Sequence, residues 1–208
     1  MPTEQHRAET SDHLRRVTLI LYPGFKTLEA TGPLSVLGYA TQHLAAVGRP
    51  GGYDVQIAAP EAGPVPSDTL MSIEATVALR DLGVPDTVMI AGAARIEEAL
   101  EREAALVDWC RTSGPEVPRC AALCTGSFFL AEAGLLDGKR AATHWNYADR
   151  LRQRFPQVEV DADAIFLRAG QIWTSAGVTA AIDLTLAFVE QDCGRDIALA
   201  VARDMVMY

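Results

Sequence analysis

The feature that most constrains the fold is a repeated alternation of short apolar segments with longer helical segments. Four short runs are rich in aliphatic and β-branched residues, namely Val17–Tyr22, Tyr53–Ala59, Asp86–Ala91 and Arg119–Leu123. Runs of this length and composition are typical of strands that are buried on both faces. Strands that alternate with helices form a mainly parallel sheet with helices on both faces. The sequence therefore predicts an α/β fold of this kind.

Helices are predicted from the spacing of apolar residues and from the glycine and proline residues at the helix ends. Because proline suits a first helical turn, Gly32-Pro33 is expected to open the first helix. Residues 60–82 are predicted only as a loop with one or two short strands. The predicted helices are Leu34–Val47, Ile96–Thr112, Ser127–Gly134, Trp145–Phe155, Val178–Gln191 and Ile197–Tyr208, and a predicted hairpin joins Ala164–Leu167 to Gln171–Thr174.

Length and charge limit the number of domains and the kinds of partner. The 208 residues suffice for one α/β domain, so we expect a single domain at 16–208 behind a disordered leader at 1–15. The net charge of −9 repels phosphate backbones and anionic lipids, so no direct contact with nucleic acid or membranes is expected. No segment reaches the ~18 apolar residues of a membrane span. The polar N-terminus has no apolar signal core, which predicts a cytoplasmic protein.

The four cysteines are Cys110, Cys120, Cys124 and Cys193. They form no C-x-x-C pair and show no metal-ligand spacing with histidine, so neither a metal nor another cofactor is predicted. Cys120 and Cys124 would lie on the same face of a strand, an arrangement that does not favour a disulfide between them. This pattern fits the reducing cytoplasm.

One cysteine has the sequence context of a nucleophile. In the run Ala122-Leu123-Cys124-Thr125-Gly126, small residues stand two positions before and two positions after the cysteine. A nucleophile elbow needs small residues there, because the turn from strand to helix is tight. The N-terminus of the following helix should lower the pKa of the thiol, and the Thr125 N–H should be free to hold an oxyanion. The alternative is a buried, inert core cysteine.

Three further positions are candidates for the same site. Gly92 follows a predicted strand, and its N–H or that of Ala93 could supply a second oxyanion donor; the alternative is an ordinary loop glycine. Glu29 could stay protonated beside a thiolate and act as an acid or base; the alternative is a solvated glutamate near a helix start. His144 could act as a base or an orienting group, or could simply pack beside Trp145.

These segments together resemble the ThiJ/PfpI family of the class I glutamine amidotransferase-like superfamily. The matching stretches are LILYPGFKTLEATGPLSVL, VMIAGA, AALCTGSFFLAEAGLLDGKRAATHW and TSAGVTAAIDLTLAFVE, and they cover nearly all of residues 17–192. The resemblance implies a flavodoxin-like α/β fold, a reactive cysteine and frequent homodimers.

The resemblance also implies roles for individual residues. Cys124 matches the family's nucleophile, and Glu29 falls where the family carries an acidic partner. Gly92 and Thr125 match the oxyanion-type backbone donors, and His144 matches a pocket histidine of several members. Protease-like and glyoxalase-like branches often carry histidine directly after the cysteine, where this chain has Thr125. Peptidase activity is therefore not expected.

Two branches of the family share the Cys-Thr-Gly pattern with an acidic partner. One is the N-terminal sensor domain of AraC-type transcription regulators, and the C-terminal stretch EQDCGRDIALAVARDMVMY resembles the end of those domains. The other is isonitrile hydratase, which adds water to an isocyanide; that branch usually has aspartate in the segment that reads LEATGP here. No helix-turn-helix motif follows in the sequence, so a sensor domain of a longer regulator and a stand-alone relative both fit.

The leading expectation is a ligand-sensing, dimerising domain with a small-molecule pocket at Cys124. The second is a cysteine-dependent hydratase or hydrolase acting on a small carbon–nitrogen substrate, in which Cys124 attacks and Glu29 moves protons. The third is a redox-sensitive or purely structural member of the family, because an exposed thiolate of low pKa is prone to oxidation.

Overall fold

The predicted α/β architecture is confirmed by the structure, a computed structural model that describes residues 14–207. Seven of its strands form one central sheet and four form two small two-stranded sheets. The strands are β1 Leu14–Ile20, β2 Gly52–Ala59, β3 Gly63–Pro66, β4 Ser72–Ala75, β5 Val77–Ala78, β6 Thr87–Ile90, β7 Arg119–Ala122, β8 Arg140–Ala141, β9 Glu159–Val160, β10 Phe166–Ala169 and β11 Ile172–Ser175.

The order of strands in the central sheet is β10-β11-β7-β6-β1-β2-β5. Every neighbouring pair is parallel except the hairpin β10–β11. The carboxyl ends of β1, β6 and β7 therefore meet at one edge of the sheet, where ligands bind in open α/β folds.

Helices cover both faces of the central sheet, as predicted. The helices α1, α6 and α7 pack together on one face, and α2 to α5 contribute apolar residues to the core on the other face. The helices are α1 Thr27–Ala46, α2 Ile96–Arg102, α3 Ala104–Thr112, α4 Ser127–Glu132, α5 Ala148–Arg154, α6 Ala180–Cys193 and α7 Arg195–Asp204.

The continuous apolar run in and after β1 supplies both cores. Val17, Leu19 and Leu21 belong to the core under α1 and α6, whereas Ile20 and Tyr22 belong to the core under α2 to α4. Successive side chains of a strand point to opposite faces, so a strand covered on both sides needs apolar residues at every position.

The first helix begins well before the predicted start. It runs from Thr27 rather than Leu34 and carries Pro33 in its interior. The Asp68 carboxylate accepts hydrogen bonds from the Thr27 N–H (3.0 Å) and from the Thr27 hydroxyl (3.1 Å), and thereby caps the helix from a distant loop. The helix start predicted from Gly32-Pro33 was wrong because the residue that caps the helix, Asp68, lies forty-one residues beyond Thr27 in the sequence. Glu29 consequently belongs to the first turn of α1.

Boundaries of other elements also differ from the predicted ones. The strand β1 begins at Leu14, which pairs with Gly52 on β2, rather than at Val17 as predicted; residues 1–13 of the predicted leader at 1–15 lie outside the described residues. The predicted helix Ile96–Thr112 is broken at Glu103, whose ψ of 46° is not helical. The predicted helix Trp145–Phe155 begins as a 3-10 turn.

The region predicted least well, residues 60–82, forms the antiparallel hairpin β3–β4 and the short edge strand β5. The loop at the tip of the hairpin, residues 67–71, is tied to the segment that follows β1. The Gly24 N–H donates to the Pro66 carbonyl oxygen (2.9 Å), and the Asp68 N–H donates to the Phe25 carbonyl oxygen (2.8 Å). The hairpin tip therefore lies at the edge of the sheet where β1, β6 and β7 end.

No helix among residues 14–207 is long and apolar enough to cross a membrane. All four cysteines are buried, and none of them forms a disulfide.

A substitution in the turn after β7 can test how closely this turn packs against β6. A Cβ at Gly126 would overlap the carbonyl oxygen of Ile90 on β6. The Ala91 carbonyl oxygen lies close to this position as well. Because both obstructing atoms belong to the backbone of the sheet, they can move little to make room for a methyl group. We therefore expect Gly126→Ala to lower the free energy of unfolding by about 2 kcal/mol or more. Chemical denaturation with circular dichroism measures this change. The matched control is Gly83→Ala, where the added methyl meets open space and the change should stay within about 0.5 kcal/mol. An equal, small effect of both substitutions would contradict the close packing.

Candidate functional site

Cys124 occupies a strained position at the end of β7. Its φ of 53° lies in the left-handed region, which a residue with a side chain rarely adopts. The 3-10 turn Cys124–Gly126 leads directly into α4, which gives the geometry of a nucleophile elbow. The Cys124 side chain is buried, with a residue exposure of 1%.

Two hydroxyl groups that the sequence analysis missed support the elbow. The hydroxyls of Ser127 and Thr143 lie 3.1 and 3.0 Å from the carbonyl oxygen of Cys124, and they lie 2.9 Å from each other. All these groups are buried, so the two hydroxyls hold the Cys124 carbonyl oxygen in place where no solvent could do so. Ser127 follows the Cys-Thr-Gly segment directly, and Thr143 precedes His144; neither position has a pattern that predicts this contact.

Glu29 lies beside Cys124 and is completely buried. Its Oε2 accepts a hydrogen bond from the Gly92 N–H at 2.6 Å, whereas its Oε1 has no hydrogen-bond partner among the described residues. Burial raises the pKa of Glu29 to about 8, although the Gly92 N–H, the neighbouring Cys124 thiol and the nearby Lys26 ammonium act in the opposite direction. At neutral pH the carboxyl group is therefore mainly protonated, and the principal cause is loss of solvent.

The prediction that the helix lowers the pKa of Cys124 was wrong. Burial and then the neighbouring Glu29 raise the pKa of the Cys124 thiol well above its ordinary value, and the Thr125 N–H and the Lys26 ammonium offset this only in part. The helix that follows, α4, has only six residues, so its dipole is small. Loss of solvent thus favours the neutral form of both the Cys124 thiol and the Glu29 carboxyl group.

Two of the three amide groups predicted as oxyanion donors, those of Gly92 and Ala93, already have partners. The Gly92 N–H is bonded to Glu29, and the Ala93 N–H donates to the Thr125 Oγ1 at 2.9 Å. The Thr125 hydroxyl donates in turn to the Ala93 carbonyl oxygen at 2.8 Å, so this side chain joins the turn after β7 to the loop after β6. A Cβ at Gly92 would lie 2.6 Å from the Thr125 Oγ1, which explains why glycine is needed at this position.

His144 lies at the same edge of the sheet, directly after Thr143. Its Nδ1 accepts a hydrogen bond from the Asn146 N–H at 3.2 Å, and its ring stacks on Trp145 with 5.7 Å between centroids. Burial and the Lys26 ammonium lower the pKa of His144, which favours the neutral imidazole. No hydrogen bond within the described chain joins this ring to Cys124 or Glu29.

A charged pair above the site was also missed by the sequence analysis. The Lys26 ammonium lies 3.3 Å from Asp68 on the hairpin tip, and it affects the pKa values of Glu29, Cys124 and His144. Lys26 immediately precedes α1, and a lysine next to a Pro-Gly turn gives no signal of such a role in the sequence.

The structure thus brings together Cys124, Glu29, Gly92, Ala93 and Thr125 in one contact network, with His144 adjacent to it. Their roles in catalysis or binding stay predictions. Within residues 14–207, no group of three or more His, Cys, Asp or Glu side chains is arranged to hold a metal ion.

Known proteins resemble this chain in sequence and in fold. An isonitrile hydratase from Pseudomonas putida is 30% identical over 89% of this chain and 75% of its own length. The HTH-type transcriptional regulator CdhR from Pseudomonas aeruginosa is 32% identical over 90% of this chain, but the chain spans only about half (54%) of that regulator. The crystal structure of an AraC family transcriptional regulator from Pseudomonas putida superposes with a TM-score of 0.75 at 24% identity, over 92% of this chain and 99% of that one.

The family itself is shown by a match of nearly the whole described chain. Residues 15–191 match the model of the DJ-1/PfpI family, in agreement with the resemblance found in the sequence. Together with the elbow at Cys124 and the parallel sheet, this match shows that the chain belongs to the DJ-1/PfpI family, in a group related to HTH-type regulators and to isonitrile hydratase.

Proposed function

We propose that this chain is a ligand-sensing, dimerising domain of an AraC-type transcription regulator, with its small-molecule pocket at the Cys124 edge of the sheet. The observation that supports it most directly is the burial of Cys124, whose residue exposure is 1%. Burial raises the pKa of this thiol, and a neutral thiol is not a prepared nucleophile, because the thiolate is the reactive form of cysteine.

The hydrogen bonding of the loop after β6 supports the same proposal. An enzyme that stabilises an oxyanion keeps its donors unpaired and aimed at the reacting atom. Here the Gly92 and Ala93 N–H groups are bonded to Glu29 and Thr125. The similarity to CdhR, which extends over 90% of this chain, adds support from sequence.

The second candidate is a hydratase like the related isonitrile hydratase, and the pKa of Glu29 favours it. A carboxylic acid with a pKa of about 8 can give and take a proton near neutral pH. The Cys124 sulfur would bond to the isocyanide carbon while the thiol proton, relayed by Glu29, is added to that carbon. Water would then attack the resulting thioimidate, and the carbon–sulfur bond would break to return the thiol and release an N-substituted formamide.

An assay with an alkyl isocyanide separates the two candidates. For a sensor we expect no steady-state formation of formamide by the purified chain, measured by mass spectrometry, and no difference in this respect between wild type and Cys124→Ser. In a separate thermal-unfolding experiment, a panel of amino acids and small amides is added to the purified chain. At least one of these compounds should raise the melting temperature of the protein by about 2 °C or more.

Turnover that disappears in Cys124→Ser would overturn the sensor proposal and establish the hydratase. Cys110→Ser is the matched control, because Cys110 is equally buried but lies in the core on α3; it should leave either result unchanged.

The protonation state of Glu29 predicts a pH-dependent stability. Between pH ~4.5 and 8 the folded protein retains the Glu29 proton while the unfolded chain releases it, so the free energy of unfolding falls as pH rises through this window. Glu29→Gln keeps a neutral group that can still accept from the Gly92 N–H. We expect its stability relative to wild type to grow by up to about 1.4 kcal/mol per pH unit from about pH 5 to pH 8, measured by urea denaturation.

The exposed Glu74→Gln serves as the control for the loss of one carboxyl group. If Glu29→Gln and Glu74→Gln show the same dependence on pH, Glu29 is not held in its protonated form.

Dimerisation through α1 is the remaining part of the proposal. Leu28 and Tyr39 are large apolar side chains exposed on this helix, by 42% and 37%, with Ser35 exposed between them. We expect sedimentation equilibrium to give twice the chain mass of 22.4 kDa, and Tyr39→Glu to shift the protein toward the monomer. The control Val84→Glu makes the same kind of change at an apolar side chain outside α1 that is 41% exposed. A monomeric wild type would contradict this part.

A further inference from the structure

A feature that the proposed function does not explain lies at the edge of the sheet opposite to Cys124. A cavity of about 630 Å³ opens where β1, β6 and β7 begin and where α6 ends. This volume is within the range of small-molecule sites. The polar residues lining it are Arg15, Arg119, Arg168, Asp86, Asp192 and Gln191.

The floor of the cavity is a buried and well-satisfied ion pair. Arg119 binds the Asp192 carboxylate with both terminal nitrogens, at 2.9 and 2.6 Å. The Tyr53 hydroxyl donates to the same carboxylate at 3.0 Å. The Asp192 side chain is only 5% exposed. The charge of Asp192 is therefore offset by Arg119 before any other cation is considered.

Two further guanidinium groups line the cavity. Arg15 lies 3.5 Å from the already paired Asp192, and so adds a second positive charge to a single carboxylate. Arg168 lies over the Trp173 ring, 5.0 Å from its centroid, and its Nε donates to the Gly170 carbonyl oxygen at 2.9 Å. Neither terminal nitrogen of Arg168 has a hydrogen-bond or ion-pair partner within residues 14–207, so its donors are available to a ligand.

The charge of the cavity is opposite to that of the protein. Three guanidinium groups line it against two carboxylates, Asp86 and Asp192, and Asp86 already accepts a hydrogen bond from the Arg16 N–H at 2.8 Å. This leaves one excess positive charge in a chain whose net charge is −9. Partial enclosure concentrates the field of that charge within the cavity.

We propose that this cavity is a second ligand site, which binds a small polyanionic metabolite through carboxylate or phosphate groups held by Arg15 and Arg168. The planar guanidinium matches both oxyanions, because its parallel N–H donors can bond two oxygens at once. Asp86 and Gln191 add acceptors that suit hydroxyl groups of the same ligand. The site is independent of the function of Cys124.

Isothermal titration calorimetry with citrate and with inorganic phosphate tests this site and distinguishes the two anion chemistries. We expect one of the two to bind saturably at one site per chain, at constant ionic strength set with sodium chloride. Arg168→Gln should weaken that binding at least about tenfold. Gln191→Glu should weaken anion binding as well. This substitution adds a negative charge to the lining of the cavity, while the new side chain has nearly the same size and shape as the old one.

Gln153→Glu is the matched control, since it makes the same change on the exposed surface of α5 and should leave affinity unchanged. Circular dichroism confirms that each variant is folded. Absence of saturable binding of both anions, or equal affinity in wild type and Gln191→Glu, would overturn the proposal. If Arg168→Gln does not fold, the comparison of Gln191→Glu with Gln153→Glu still decides the outcome.

Discussion

The hydrogen bond from the Gly92 N–H to the Glu29 carboxyl is the interaction on which the candidate site depends. It joins the first turn of α1 to the loop after β6 and leaves the carboxyl group buried beside Cys124. Losing either partner would leave a buried polar group unsatisfied, at a cost of about 1–3 kcal/mol. This contact also bears on the chemistry of the site, because a carboxyl group removed from solvent keeps its proton, and a protonated Glu29 places no negative charge beside the Cys124 thiol.

The central sheet and the positions of the site residues could be predicted from the sequence. Alternating apolar runs and helices specify a parallel sheet, and its strand ends then bring Glu29, Gly92 and Cys124 to one edge. The small residues around Cys124 also predicted its tight turn, which the φ of 53° confirms. These features depend on short-range patterns, and such patterns are visible in a single sequence.

What the sequence could not predict depends on contacts between distant residues. The start of α1 is set by Asp68, and the support of the elbow by Thr143; both are far from their partners in the chain. The pKa of Cys124 was predicted in the wrong direction because the helix dipole is visible in the sequence, whereas the degree of burial is not. The cavity formed by Arg15, Arg119 and Arg168 was missed for the same reason, since its three arginines come from separate strands.

Asp68 has two structural tasks, because it caps α1 and pairs with the Lys26 ammonium beside the site. A substitution there would disturb the first turn of the helix and the charge near Cys124 together. Few other residues at position 68 could therefore keep both the cap and the ion pair. The same hairpin tip carries Leu70, whose side chain is fully exposed. A residue at position 70 can accordingly be exchanged without the loss of the helix cap or of the ion pair that Asp68 provides two residues earlier.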